Sequence, residues 1–525
     1  LPAVPTTDSS AKSSPATSPE RWFWLGALLV AALTLAAHAR GLHGQFVEWD
    51  DTTHITQNPA IRALTLDNLR AMFTDYTAKL YIPLTLLSFA LDYQLWGREP
   101  FGYHLTNLLL HLANTLWVLL FVRRLLNGRL AHAGWIALLT ATIFGVHPLR
   151  VESVAWVTER KDVLFGFFYL LALLAYMRWA EQRRPGAYWL CFASFVAAVL
   201  SKSAAVTFPL VALLLDGFWA RRQAWGEKLP FFIVSAIVGL STISAQASGV
   251  GETVAGTAVI PVWARAGLVG YCALFYVAKF LWPVSLSAIY PTFEEFNWTL
   301  PVAASYLAAL VVVCAAAFAL RRRASLLWPA WLFYLVTLSP TIGLVPVGVH
   351  VVADRFSYVP LIGLALVTAT GIAQVVERAR LAGLVILAAL GALALLAHQR
   401  SAVWADTETL FRSVLARQPD SYPALVNLTW WYAQHDRLDE AIRTGERALE
   451  VAPAGLPGRR HLAMALMKAG RHRDAVGVLR PAIDHGIVDD AGIWRALAEC
   501  FTALGDETNA AVARRHLQRL APAGN

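Results

Sequence analysis

Long apolar runs broken by short polar stretches recur along the first four hundred positions of the chain. The first, Trp22–Ala39, is unbroken and as a helix would be roughly 27 Å long, enough to cross hydrocarbon. Further runs at about 102–122, 134–147, 163–180, 187–200, 203–219, 230–246, 300–320, 325–340, 357–376 and 381–398 predict additional transmembrane helices. Residues 41–82 break the pattern. They are polar, Asn58-Pro59 signals a turn, and Leu64, Leu66, Leu69 and Met72 fall at near-helical spacing. This predicts an external loop with an amphipathic helix on the bilayer surface. Residues 1–21 are rich in Pro, Ser, Thr and Ala with no apolar period, which predicts a disordered tail. Ala37-His38-Ala39 resembles a signal-peptidase site, but further spans follow and the tail is long for a signal peptide, so the first helix is expected to be retained. The chain begins at Leu1, as a fragment or a processed form would.

After His398 the pattern changes to charged, amphipathic helices. Ala441, Ala475 and Ala510 are separated by 34 and 35 residues, and Leu428, Leu462 and Leu497 repeat that spacing. Pro419 to Pro453 is again 34, with Gly470 and Gly505 at the turns and Tyr432, Trp494 and Phe501 at aromatic positions. A period near 34 with small residues where paired helices touch is the tetratricopeptide signature. Such repeats stack into a superhelix whose groove suits an extended peptide or a partner protein. The fold class is therefore all-α: a polytopic bundle of about 11–12 spans, then an α-solenoid. The boundaries are a tail at 1–21, a transmembrane domain at 22–400 with its external loop at 41–82, and a repeat domain at 401–525.

Composition fits. Of 525 residues, 57% are hydrophobic and 15% charged, with mean hydropathy +0.50, where a soluble protein carries about a quarter charged. The net charge of +9 could point to nucleic acid, but its positions do not. Arg123-Arg124, Arg183-Arg184, Arg221-Arg222 and Arg321 to Arg323 stand at the ends of apolar runs, the positive-inside pattern. With the tail cytoplasmic, eleven crossings keep all these clusters on the cytoplasmic side and place the C-terminus outside. Val262–Trp282 is also long enough to cross, yet counting it would move Arg321–Arg323 outside. It is expected to be re-entrant or interfacial. Cys191, Cys272, Cys314 and Cys500 lack metal-ligand spacing and suggest no disulfide framework.

The charged residues that this topology gathers on the external side are candidates for chemistry. Glu48-Trp49-Asp50-Asp51 opens the first loop, and paired carboxylates beside a membrane can bind a cation, orient a hydroxyl or accept its proton. They could hold a divalent cation, but two adjacent carboxylates are too few to require one. A solvated acidic turn is the bland alternative. His104, Asn107, His111 and Asn114 form one polar stripe on the second span, for which interhelical hydrogen bonding is the simplest account. His147, Glu152, Glu159-Arg160-Lys161-Asp162, Lys202 and Asp354-Arg355 stand at external helix ends. Singly each reads as a snorkelling charge or a salt bridge. Together they predict a charged cavity in the outer half of the membrane, where basic groups would receive an anionic lipid headgroup such as a polyprenyl phosphate. Phosphate-binding glycine loops and Ser-His-Asp signatures are absent.

The order of motifs is distinctive: Val47-Glu48-Trp49-Asp50-Asp51, Asn58-Pro59, Pro83-Leu84-Thr85, Gly102-Tyr103-His104-Leu105-Thr106-Asn107-Leu108, His147-Pro148, Glu152-Ser153-Val154-Ala155-Trp156, Arg160-Lys161-Asp162, Ser201-Lys202, Asp354-Arg355, then repeats. It resembles the transmembrane and tetratricopeptide-repeat (TMTC) O-mannosyltransferases and their bacterial relatives, in the GT-C glycosyltransferase superfamily. The chain departs from the pattern in Ile82, where a basic residue is common, and in its short repeat array.

That resemblance implies a GT-C-like membrane enzyme of protein O-glycosylation. It would move mannose or another hexose from a polyprenyl-phosphate donor to a protein hydroxyl on the non-cytoplasmic side. It implies Asp50 or Asp51 as base or acceptor-positioning group, and Arg160, Lys161, Lys202 and Arg355 as stabilisers of the phosphate leaving group. Arg265 and Lys279 would join them if their segment re-enters the membrane. Inversion by single displacement would follow. The abundance of Ala, Arg and Leu reads as bacterial, which sets the expected compartment as the inner membrane with repeats in the periplasm and an acceptor polypeptide or partner protein at the repeats. A transporter or lipid-handling protein with a docking domain is the second reading. It would need essential charges at mid-membrane depth.

Overall fold

The structure is a computed structural model describing residues 18–247 (except 79, 131 and 223), 260–342 (except 294 and 297), 351–484 (except 380) and 490–520. Most of the expected disordered tail, residues 1–17, lies outside these; 18–21 are the first turn of a helix. Among the described residues the chain is helical throughout, with one isolated bridge between Thr77 and Leu80.

The helices in chain order are α1 (Ser18–His38), α2 (Leu66–Thr74), α3 (Pro83–Trp96), α4 (Pro100–Leu126), α5 (Ala133–Val146), α6 (Val151–Ala155), α7 (Arg160–Gln182) and α8 (Pro185–Ser201). There follow α9 (Phe208–Leu215), α10 (Leu229–Ala247), α11 (Val262–Leu281), α12 (Leu300–Ala319), α13 (Leu327–Leu338), α14 (Leu361–Arg378) and α15 (Ala382–Ser401). The C-terminal set is α16 (Thr407–Leu415), α17 (Tyr422–Gln434), α18 (Leu438–Val451), α19 (Leu456–Lys468), α20 (His472–Asp484), α21 (Ala491–Ala503) and α22 (Glu507–Leu520). Starts are marked locally. Pro83, Pro100 and Pro185 occupy first-turn positions that need no N–H, and Thr65 caps α2 by accepting from Asn68 N–H at 3.3 Å.

Nine helices among the described residues are long and apolar enough to cross a membrane. Leu28, Ile237, Leu240, Val312 and Val385 are each more than three-fifths exposed, and such apolar faces need lipid rather than water. The chain is a multi-pass integral membrane protein. Three expected spans fall short of the length that crosses a membrane as one straight helix. α5 meets the following Pro148–Ala155 segment at a 56° bend, α8 has 17 residues and α13 has 12. Twelve residues give about 18 Å of helix, less than a hydrocarbon core.

α11 is a continuous 20-residue helix lying against α12. The two run in the same direction. A Cβ on Gly267 would come within 2.5 Å of Ala303 Cα, and one on Gly270 within 2.6 Å of the Tyr306 carbonyl carbon. Each step of three along one helix is matched by three along the other. Segment 282–299 therefore returns alongside them, and the pair makes one net passage. The glycines are what allow so close an approach.

α7 and α8 pack together, and at their basic end Asp216 is buried between Tyr176 (2.6 Å), Arg222 (2.9 Å) and Lys228 (2.5 Å). Four of the arginines counted as topology signals are tied to acids: Arg183 and Arg222 to Glu227, Arg124 to Glu181 and Arg123 to Glu20. From α17 onward consecutive helices pack in sequence order. Asp436, Gly470 and Gly505 all adopt positive φ (55°, 73° and 74°) at the ends of alternate helices. In each case the next N–H returns to a carbonyl one turn back: Arg437 to Tyr432, Arg471 to Leu466, Asp506 to Phe501, at 2.8–2.9 Å. Left-handed backbone suits glycine there and is tolerated by Asp.

Candidate functional site

The loop after α1 carries the two aspartates, followed at once by a wide helical turn, Thr52–Thr56. Asp51 is buried. Its Oδ2 accepts from Val47 N–H at 2.8 Å, and its Oδ1 accepts from Thr158 N–H at 2.9 Å and from the Thr158 hydroxyl. Burial outweighs these bonds and pushes its carboxyl up to about 7. Asp50 is half-buried. Among the described residues its carboxylate has no hydrogen bond or ion pair, although its charge reaches Lys161 and His54. His54 Nδ1 lies 3.0 Å from the Asp50 carbonyl oxygen, closing the turn below it.

Next to this loop lies a charged cluster assembled from distant segments. α6 and the turn Val157–Glu159 lead from α5 into α7, so that Glu152, Glu159, Lys161 and Asp162 come from one stretch. Lys202 follows α8, and Arg355 sits in the turn Asp354–Ser357 before α14. Glu159 is the hub: its oxygens lie 3.1 Å from Lys161 Nζ, 3.9 Å from Lys202 Nζ and 3.3 Å from Arg355 Nε. Arg355 also pairs with Glu152 through its guanidinium and donates its backbone N–H to that carboxylate at 3.1 Å. Lys202 pairs with Asp162, which accepts from Ser153 at 3.2 Å. Three acids are thus matched by three bases. All are nearly inaccessible except Lys202, which is 16% exposed. Fixed cations of this kind at a partly open edge are suited to receiving an anion.

Other expected site residues go elsewhere. Arg160 turns away from the cluster. It pairs with Asp92 of α3 at 2.6 Å, donates to the Tyr103 carbonyl at 2.9 Å and to Ser88 at 3.3 Å, and meets Asn107. A guanidinium so fully engaged has little left for a ligand. His147 is engaged at both ring nitrogens, Nε2 donating to the Phe280 carbonyl at 3.0 Å and Nδ1 accepting from Leu149 N–H. His104 is buried beneath Gly44, where an added Cβ would touch its ring at 3.1 Å. The rest of the polar stripe makes interhelical bonds. Asn107 donates to the Trp156 carbonyl at 3.2 Å, Asn114 to the Val163 carbonyl at 2.8 Å, and His111 lies 2.8 Å from the Tyr358 hydroxyl. Arg265 bonds to the Ile260 carbonyl at 3.0 Å, near the far end of α11 from Lys279. Lys279 bonds to the Val284 carbonyl at 2.8 Å and shares a field with Asp354. Asp354 faces Tyr290 (2.7 Å) and Arg400 (3.6 Å) rather than the Glu159 hub, and burial raises its carboxyl above the usual range.

Sequence reasoning passed over Thr158, which holds Asp51, His54 beside Asp50, and Tyr290 and Arg400, which hold Asp354. None lies in a motif or a periodic position. Aromatic residues near the site were also unforeseen. Trp49 stacks on Trp156 at 4.7 Å and 14°, and Trp156 stacks on Trp404 at 5.3 Å and 22°. Arg355 and Lys161 approach the same Trp156 ring at 5.5 Å and 5.9 Å.

A separate cavity of about 670 Å³ lies between α4, α9, α13 and α14, lined mainly by apolar residues such as Phe121, Leu215 and Phe333, with Arg129 and Arg221 at its basic end. None of the charged cluster's six residues lines it. Among the described residues no group of three or more His, Cys, Asp or Glu is placed to hold a metal ion.

No protein-family model matches the chain. Part of it is similar to protein O-mannosyl-transferases. It is 32% identical over 213 residues to TMTC1 of Mus musculus (37% of this chain, 22% of that protein) and 34% identical over 199 residues to TMTC4 of Homo sapiens (34% and 27%). It is 39% identical over 134 residues to Tmtc1 of Drosophila melanogaster (26% and 15%). The matched stretch spans a quarter or less of most of these curated relatives. The TMTC resemblance read from the ordered motifs is borne out. Among solved structures, the crystal structure of ArnT from Cupriavidus metallidurans bound to undecaprenyl phosphate aligns over 96% of this chain and 79% of that one, at 14% identity and a TM-score of 0.34. So loose a likeness carries no argument.

Proposed function

We propose that the chain is a GT-C-like integral-membrane glycosyltransferase. It moves a hexose, mannose by the TMTC likeness, from a polyprenyl-phosphate donor to a protein hydroxyl on the non-cytoplasmic side. The carrying observation is that Asp50, a carboxylate with no partner among the described residues, lies within the field of Lys161, one of a preassembled set of cations from three distant segments. Asp50 is the base or acceptor-positioning group. Asp51, with both oxygens committed to Val47 and Thr158, is the structural member of the pair. Lys202, Lys161 and Arg355 bind the phosphate and stabilise the charge that grows on it as the glycosidic bond breaks. The acceptor oxygen attacks the anomeric carbon, loses its proton to Asp50, and the lipid phosphate leaves. One displacement gives inversion. Arg160, held by Asp92, supports α7 instead of the leaving group.

The C-terminal helix pairs are tetratricopeptide repeats that take an acceptor polypeptide or partner protein. Domains at 22–400 and 401–525 follow, with the repeats in the periplasm of a bacterial inner membrane. The repeating turns at Asp436, Gly470 and Gly505 support this reading.

The test is incubation of the purified full chain with labelled polyprenyl-phosphate sugars and candidate acceptor polypeptides. Transfer is expected in the wild type and lost in Asp50→Asn. No transfer from any donor would favour a transporter or lipid-handling role.

A further inference from the structure

The loop carrying Asp50 is held from a place far along the chain. Gln45 N–H donates to the Ala405 carbonyl at 2.7 Å, and Glu48 N–H donates to the Thr407 hydroxyl at 2.8 Å. Thr407, the first residue of α16, is buried. Asp406 before it caps α16, accepting from Thr409 N–H at 2.7 Å, so the hydroxyl of Thr407 is presented by a fixed helix start. Trp49, between Glu48 and Asp50, stacks on Trp156, which stacks on Trp404. It also lies 5.6 Å from Phe411 of α16. Between Gly44 and Asp50 the loop has one internal backbone bond, Trp49 to Val47 at 2.6 Å. Asp51 anchors it on one side and this junction on the other, with Phe46 packed edge-on against Tyr103 at 5.2 Å.

We propose that Trp404 and Thr407 are positioning residues that clamp the Asp50 loop, making the start of the C-terminal helices a working part of the reaction site. This rests on the transferase reading only for its kinetic consequence. Asp50 is flanked by two anchored residues: Asp51, tied to Thr158, and Glu48, tied to Thr407. An acid that must meet an acceptor proton within hydrogen-bond reach loses effectiveness when its backbone wanders by an ångström. The Trp156 ring carries the coupling further, since it is shared by the stack and by the cations Lys161 and Arg355. Removing the Thr407 hydroxyl leaves a Glu48 N–H without its partner.

The test compares Thr407→Val, Thr407→Ser and Trp404→Leu in the full chain by two readouts. The first is amide hydrogen exchange at Gln45 and Glu48. The second is steady-state transfer from a labelled polyprenyl-phosphate hexose. Thr407→Val and Trp404→Leu are expected to speed exchange at these two amides while α4 and α7 stay protected, and to lower kcat about tenfold, with the donor KM unchanged in Thr407→Val. Thr407→Ser, which keeps the hydroxyl, is expected to behave as wild type. Unchanged exchange in Thr407→Val overturns the clamp. Faster exchange with unchanged kcat overturns its positioning role. A wild type that transfers nothing while exchange responds as expected defeats the transferase reading and leaves the clamp standing.

Discussion

Asp50 and Asp51 are sequence neighbours with opposite surroundings. Asp51 is buried with three donors on its carboxylate, and Asp50 is half-exposed with none among the described residues. Asparagine at position 50 should therefore lower kcat by about 10²- to 10⁴-fold and leave thermal stability in detergent unchanged. Asparagine at position 51 cannot accept all three bonds and should destabilise the fold by about 1–3 kcal/mol, with transfer falling less. Transfer rate and thermal midpoint measured on both variants separate the roles. Equal loss of transfer in the two would reverse the assignment.

Arg160 and Asp92 form a buried pair, with side chains 0% and 6% exposed. Removing one partner strands a charge, so Arg160→Met should cost about 3–5 kcal/mol. The double variant Arg160→Met/Asp92→Leu should recover part of that loss. If Arg160 instead held the leaving phosphate, the double variant would regain stability and no transfer. A double-mutant cycle on thermal midpoint, with transfer assayed alongside, decides it.

The Asp51 carboxyl is raised to about 7 by burial, against about 4 when unfolded. The folded chain then binds this proton more tightly than the unfolded chain. Its contribution is complete below about pH 4 and is lost as pH rises through about 7. The thermal midpoint in detergent should fall between about pH 4 and pH 7, and Asp51→Asn should flatten that slope. An identical slope in the variant would assign the titration to another group.

Much of this architecture is legible in apolar runs, because a span must be both long and free of charge. The charged helix ends were also readable: Glu152, Lys161, Asp162, Lys202 and Arg355 do converge. Adjacent residues were not separable. Arg160 and Lys161 open the same helix about 100° apart, and the rotation of α7 sends one to Asp92 and the other to Glu159. Asp92 itself lies in α3, whose 14 residues are too few to register as a span. Arg400 and Trp404 are remote in sequence from the groups they meet, and no local pattern announces such pairings.

The direction of α11 was beyond periodicity too, and it yields a sharp prediction. Two helices in the same sense need their connection to return, so residues just before α11 and just before α12 lie on one face of the membrane. Exposed positions Val262 and Thr299, each replaced by Cys, should react with an impermeant thiol reagent from the same side, and Arg322→Cys from the opposite side. The packing behind this can be tested separately. A Cβ at Gly267 meets the Ala303 backbone at 2.5 Å, whereas one at Gly239 meets nothing within 4 Å. Gly267→Ala should destabilise by about 1–3 kcal/mol because backbone cannot give way as a side-chain end can. Gly239→Ala should stabilise slightly, by about 0.5–1 kcal/mol, through helix propensity alone. If Val262→Cys and Thr299→Cys were labelled from opposite faces, α11 would be a full crossing in its own right, and Arg321–Arg323 would lie on the same face as Asp50.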